Sequence, residues 1–408
     1  MTDWSGLGIV PATFLLPKGE HLSNTWPIIA CDQYTSQPEL WQQADRAIGG
    51  QPSTLRLIVP EAFLEETPQR SQQVAQAMED YLRQDILAPV PEGFVLVERT
   101  TQSGQRIGLV CTIDLEQYDY QEGSRSLIRA TEQTVLERIP PRLQVREQAA
   151  IELSHVLLLI DDPQDALLGP LYAQRASLQL LYDIDLLMEG GRIRGWHVPQ
   201  EPQSARLAQV LGDRNRALAP GELLFAVGDG NHSLAAAKAA WEKVKASLPP
   251  AAQQAHPARY AMVELMNLHS PALLFEPIHR AVFGSSLQAV RDVLAPLQPV
   301  EDAAAPDITL IADGRDLPLR LPGAEGRLVT AAVQELLDQA KLELDYVHGE
   351  DALRGIIEGR QAVGILMPDF HKDLLFPTVQ RDGRLPRKTF SMGEANEKRF
   401  YLEARKIK

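Results

Sequence analysis

Along most of the chain, short runs of apolar and β-branched residues alternate with longer segments in which apolar positions recur every three or four residues. The first pattern predicts buried or half-buried strands and the second amphipathic helices. Strands are expected at 26–31, 54–59, 94–98, 107–113, 155–160, 223–227, 260–265, 272–277, 308–312 and 362–367. Helices are expected at 38–48, 69–87, 127–138, 166–182, 204–210, 234–246, 287–294, 329–342 and 349–358. This interleaving predicts an α/β (mixed α+β) protein whose mixed sheets carry flanking helices. Proline, alanine and acidic residues cluster at 296–306, which divides the chain into a main α/β unit, 1–295, and a C-terminal α/β subdomain, 296–408. A softer break falls at 248–252, where Pro249 and Pro250 cannot continue a helix.

One junction carries more chemistry than a chain reversal needs. The apolar run Phe225-Ala226-Val227 leads into Gly228-Asp229-Gly230-Asn231-His232-Ser233 and then into an Ala-rich segment of high helix propensity. Ser233 is placed to cap that helix. Gly228 and Gly230 can take positive φ or let a ligand approach the backbone, and Asn231 and Ser233 can donate or accept locally. Amides at a helix start attract anions, phosphate above all. Asp229 could hold Mg²⁺ or position a hydroxyl, and His232 could donate to a phosphate oxygen or exchange a proton near neutral pH. A purely structural turn would use Asp229 on backbone amides and leave His232 as filling, but the full run reads as a ligand site.

A second strand-to-helix turn, Ile28-Ile29-Ala30-Cys31-Asp32-Gln33-Tyr34, ends in polar groups. In open α/β sheets ligands gather outside the carboxyl ends of strands, so Asp32, Gln33 and Tyr34 are expected to share a pocket with Asp229. Ser36 and Glu39 form an S-x-x-E capping box for the following helix. Arg129, Arg280 with His279, and Lys388 beside Arg387 are candidates for neutralising phosphate, although each alone is more often a surface ion pair. Asp161-Asp162-Pro163 and Asp369-Phe370-His371-Lys372 both follow apolar strands; the first could bind a metal but reads more readily as a turn cap.

Composition narrows the partners. Forty basic against 54 acidic residues give a formal charge of -14, which disfavours nucleic acid and anionic membranes as partners. Cys31 and Cys111 are the two cysteines and share no paired spacing, so neither a disulfide framework nor a cysteine zinc site is expected. The start of the chain lacks a basic region followed by an apolar one, and no apolar run reaches the ~20 residues that cross a bilayer. A cytoplasmic protein with a small-molecule substrate is expected, and a homo-oligomer is compatible with the sequence. H-E-x-x-H, Walker-type, G-x-S-x-G and full G-x-G-x-x-G motifs are missing, which removes support from zinc hydrolase, P-loop, α/β-hydrolase and dinucleotide readings.

Several of these motifs occur together, in the same order, in the bacterial and archaeal family known as domain of unknown function 1015. The chain resembles that family over nearly its full length, through 26–38, 52–57, 128–132, 227–233 and 275–280. Asp229-Gly230-Asn231-His232 is also similar to the Asp-Gly-x-His-Arg signature of the wider ParB/sulfiredoxin-like superfamily, which includes free-serine kinases. This second resemblance implies a ParB/sulfiredoxin-like core and a phosphate role for the loop. It further implies a small-molecule kinase acting on a hydroxyl of a free amino acid such as serine, with Mg²⁺ and with ATP, ADP or pyrophosphate as donor. Asp32 is the expected base, with Glu39 second. The alternative is a nucleotide- or phosphate-binding regulatory protein without turnover. Where the signature ends in arginine this chain has Ser233, so the cation must come from Arg129, Arg280 or Lys388.

Overall fold

The computed structural model describes residues 2–408 apart from 31–33, 35–36, 133, 135, 154 and 387. The chain divides into two compact units, one formed by Met1–Leu273 with Glu394–Lys408 and the other by Leu274–Gly393. The expected boundary at 296 therefore falls inside the second unit. The proline-rich stretch there is a short 3₁₀ turn, Ala295–Leu297, leading to the edge strand Val300–Glu301 of a sheet that already includes Phe275–Phe283. The last residues return to the first unit, where Phe400–Tyr401 pairs with Ile28–Ile29 and Ala404–Lys406 pairs with both Leu15–Pro17 and Ile151–Leu153.

In the first unit a sheet of ten described strands runs in the order Gln179–Asp185, Arg192–Pro199, Gly93–Thr101, Gly104–Asp114, Tyr260–Asn267, Val156–Ile160, Phe225–Asp229, Ile128–Ala130 and Tyr118–Asp119, with Ile9–Val10 also on Gly104–Asp114. It is mixed: Val156–Ile160 is parallel to Tyr260–Asn267 and antiparallel to Phe225–Asp229. Alternation along Gly93–Thr101 and Gly104–Asp114 gives the sheet two apolar faces. Phe94, Leu96, Leu109 and Cys111 join one core with Leu234 and Trp241 of the helix Asn231–Ala246. Val95, Val97 and Val110 join the other with Trp26, Ile28, Phe400 and Leu402. The second unit builds its own mixed-class core, in which Val282, Leu310 and Val363 pack with Val333 and Leu337 of the helix Val329–Gln339.

The α/β class holds, and the elements at 38–48 and 308–312 coincide with Pro38–Ile48 and Ile308–Ala312. Three expectations are corrected. The helix expected at 127–138 is instead the strand Ile128–Ala130 followed by a 3₁₀ turn, Leu136–Arg138, because pairing beside Phe225–Asp229 overrides local propensity. The segment expected as one helix at 166–182 breaks after Leu168–Ala173 into the strand Gln179–Asp185, whose buried Tyr182 and Ile184 alternate with exposed Asp183 and Asp185. The strand expected at 54–59 is a 3₁₀ turn, Thr54–Leu57, held by the Ser53 hydroxyl, which accepts from the Leu55 amide at 3.3 Å. No helix among the described residues is long and apolar enough to cross a membrane.

Candidate functional site

The strand Phe225–Asp229 ends where the helix Asn231–Ala246 starts, and Gly230 alone makes the turn. Its φ of 85° is left-handed, and a Cβ there would stand 3.0 Å from Val156 Cγ2, so glycine meets both a conformational and a steric need. Gly228 continues the strand. Ser233 is not the cap: the N-cap position belongs to Gly230 and makes no side-chain cap bond, which puts Asn231, His232 and Ser233 in the first helical turn. The opening amides of a helix have no carbonyl in a preceding turn to meet, and they carry the positive end of its dipole. The first intrahelical bond is Leu234 N to Gly230 O, at 3.0 Å.

Asp229 stands just ahead of this turn, with Oδ1 accepting from the Gly230 amide at 2.8 Å. Its Oδ2 lies 3.3 Å from Lys398 Nζ, with the lysine side chain 8% exposed and the carboxylate 39%. The register explains which face the carboxylate uses. Asp229 and Glu264 both flank Leu157, and Glu264 faces Val110 in turn, so the two carboxylates share the side of the sheet on which the end of the chain packs. Arg99 holds that end by its backbone: its guanidinium donates to the carbonyls of Asn396 at 2.9 Å, Glu397 at 3.3 Å and Lys398. The Glu397 carboxylate accepts from the Ser103 amide at 2.7 Å and hydroxyl at 2.8 Å. Lys398 thus sits between two residues fixed by other bonds, since Arg399 O accepts from the Ala30 amide at 2.8 Å.

Arg106 completes the charge pattern on this face. It is 3% exposed, and its Nε and Nη2 have no hydrogen-bond partner among the described residues. Burial lowers its pKa first, while Glu264, Glu397 and Asp229 favour its charge and Arg399 opposes it.

A cavity of about 140 Å³ adjoins the first helical turn and is lined by Ser233, His155, Tyr401, Arg142 and Glu61 together with apolar side chains such as Met78. His155 precedes the strand that pairs with Asp229, and its ring centroid is 4.9 Å from that of Tyr401. Burial pushes the His155 pKa down to about 4, against the pull of the Leu153 carbonyl and Asp229, so the ring is neutral near pH 7. Burial raises Tyr401, and Glu61 adds to the rise. Arg142 pairs with Glu61, and Arg146 lies 2.8 Å from Glu152.

The other expected residues are distributed as follows. Asp32 and Gln33 lie outside the described residues. Tyr34 borders a separate open groove of about 750 Å³ with Gln43, Met188, Glu189, Glu394 and Asn396, and its carbonyl accepts from Trp41 Nε1 at 3.3 Å. Ser36 lies outside the described residues, and the helix Pro38–Ile48 has Gln37 at its N-cap. Arg129 pairs with Ala226 in the sheet, but its guanidinium donates to Ser126 O at 2.9 Å and to Gly221 O. Those carbonyls precede the strand, at the opposite end from Asp229. Arg280 and Lys388 belong to the second unit, where Arg280 Nε donates to Gln334 Oε1 at 2.9 Å and the guanidinium lies 5.0 Å from the Tyr346 ring centroid.

Sequence reasoning missed Lys398, Arg106, Tyr401 and the role of His155. The one local signal was the run 397–401, in which charged residues precede two aromatics without a helical or alternating pattern. Together, a helix start, a carboxylate, a lysine and a buried arginine can hold an oxyanion, and the adjoining cavity can take a ring-sized organic group. No group of three His, Cys, Asp or Glu gathers among the described residues, and Asp229 already faces an ammonium.

No curated protein matches the chain. Among solved structures, the chain is similar to a mutant free serine kinase in complex with ADP, at 14% identity and a TM-score of 0.40, covering 73% of this chain and 92% of that one. It is similar to a conserved hypothetical protein from Pyrococcus furiosus at 14% identity and a TM-score of 0.37, covering 73% and 95%. It is also similar to SbnI with a C-terminal truncation, from Staphylococcus aureus, at 10% identity and a TM-score of 0.40, covering 70% and 82%. Residues 11–340 match the family described as "Protein of unknown function (DUF1015)", and the chain belongs to that family.

Proposed function

We propose that this protein is a small-molecule kinase that transfers a phosphoryl group to a hydroxyl of a free amino acid such as serine. The observation that carries this reading is the left-handed Gly230, which turns a strand ending in Asp229 directly into a helix start beside a cavity. Phosphoryl transfer asks mainly for positioning and charge stabilisation, and such a junction provides both. The donor, which is ATP, ADP or pyrophosphate, rests its phosphates on the opening amides from Asn231 to Ser233. His232 donates to the transferred group. The acceptor oxygen bonds to the terminal phosphorus as the bond to the leaving phosphate breaks, and Asp32 takes the hydroxyl proton, with Glu39 the second candidate. Tyr34 and Gln33 are the candidate acceptor-binding residues. Magnesium arrives as the counter-ion of the donor's phosphates, where it would shield their charge. The substrates are diffusible and cytoplasmic.

Incubation with Mg²⁺, serine and each donor in turn, followed by detection of phosphoserine, tests the reading. Product is expected with at least one donor and lost in Asp229→Ala and His232→Ala. Nucleotide binding without product for any amino-acid hydroxyl overturns the kinase in favour of a regulatory nucleotide-binding protein. Loss of stability without loss of ligand binding in both variants makes the loop structural only.

A further inference from the structure

The phosphate-binding loop of this chain has Ser233 where the signature it resembles has arginine, yet the fold brings other cations to the same junction. We infer that Lys398, backed by Arg106, is the cationic half of an oxyanion subsite at Asp229, and that it contacts the phosphoryl group being transferred. This rests on the kinase reading for the identity of the anion, but not for the existence of the subsite.

Lys398 Nζ stands 3.3 Å from Asp229 Oδ2, two residues before the helix start at Asn231. Its side chain is 8% exposed while the carboxylate is 39% exposed, so the lysine reaches outward from a buried stem to a group at the edge of solvent. A surface pair of this kind would be free to wander; this one is held at its base. Arg99 grips the carbonyls of residues 396 to 398, Ser103 fixes Glu397, and Arg399 is pinned by Glu264 at 2.7 Å. Arg106, 3% exposed with Nε and Nη2 unpartnered, stands on the same face and is electrostatically coupled to Asp229. Glu264 and Glu397 act on Arg106 more strongly than Asp229 does, so Arg106 supports the subsite through its field and Lys398 makes the contact. Asp229 holds the lysine in place until the anion arrives, and Lys398 then stabilises charge on the phosphoryl oxygens as the acceptor oxygen displaces the leaving phosphate.

Binding of pyrophosphate to the full chain by calorimetry tests the subsite without requiring turnover. Lys398→Met is expected to weaken binding at least ~10-fold, and Lys398→Arg to restore most of it. Asp229→Asn is expected to tighten binding, because the lysine loses its competing carboxylate. Where phosphoserine forms, Lys398→Met lowers kcat by ~10²-fold with little change in KM for serine. Unchanged affinity in Lys398→Met, weaker binding in Asp229→Asn, or no pyrophosphate binding by the unaltered protein overturns the inference. Should Lys398→Met fail to fold, the Asp229→Asn and Lys398→Arg measurements decide. Pyrophosphate binding that follows this pattern while no acceptor is ever phosphorylated keeps the subsite and removes the kinase.

Discussion

Arg399 Nε lies 2.7 Å from Glu264 Oε2, and neither side chain is more than 3% exposed. Burial alone would lower the arginine pKa, but Glu264 and Glu403 more than offset it and hold the guanidinium charged. The pair fastens the end of the chain to the middle of the sheet. Arg399 also pairs with the buried Glu403, so removing Glu264 takes away one of its two carboxylate partners and costs about 1 to 3 kcal/mol. Glu264→Gln is therefore expected to lower the urea midpoint of the first unit by an amount of that order. Gly108→Ala should act in the same direction, because a Cβ at 108 would stand 2.1 Å from Glu264 Oε1 and displace the carboxylate. An unchanged midpoint in both variants would mean that the end of the chain is anchored by its strand pairing alone.

Gly230→Ala tests the junction by itself. A left-handed residue with a Cβ costs about 1 to 2 kcal/mol, and here the added atom also meets Val156 Cγ2 at 3.0 Å. The variant is expected to be destabilised by about 1 to 3 kcal/mol and to lose affinity for phosphate-bearing ligands, because the helix start is re-aimed. Gly50→Ala is the control: its Cβ would meet nothing within 4 Å and its φ is not left-handed, so the midpoint should stay put. Equal behaviour of the two variants, by denaturation and by ligand titration, would remove the special role of Gly230.

What could be read from the linear chain, and what could not, divides along the range of the contacts involved. The order strand, Gly230, helix was legible because residues 225 to 246 settle it among themselves through propensity and apolar spacing. The helix Pro38–Ile48 was legible for the same reason. The strand Ile128–Ala130 was not, since its conformation comes from pairing with Phe225–Asp229 rather than from its own residues. Lys398 could not be assigned to Asp229 at all. It arrives there because the end of the chain leaves the second unit and pairs with Ile28–Ile29, a contact that no local pattern encodes. The break expected at 296 came from a proline-rich stretch that leads into an edge strand of a sheet inside the unit Leu274–Gly393, a pairing that local composition does not encode.

His155 gives a pH dependence whose sign follows from its burial. Burial holds its pKa at about 4, against about 6.5 in the unfolded chain. Between those values the unfolded state binds a proton that the folded state does not, so stability rises with pH across that window and is flat above and below it. The penalty for acidification from pH 7 to pH 4 is about 3 kcal/mol from this residue. His155→Gln keeps a polar group beside Tyr401 without the titration, and should abolish that part of the slope while carboxylates still titrate at lower pH. Urea midpoints for both proteins at half-unit intervals from pH 4 to pH 8 would measure it. Parallel curves would show that the imidazole takes up its proton as readily in the folded protein as in the unfolded chain, and that the cavity is wet at that point.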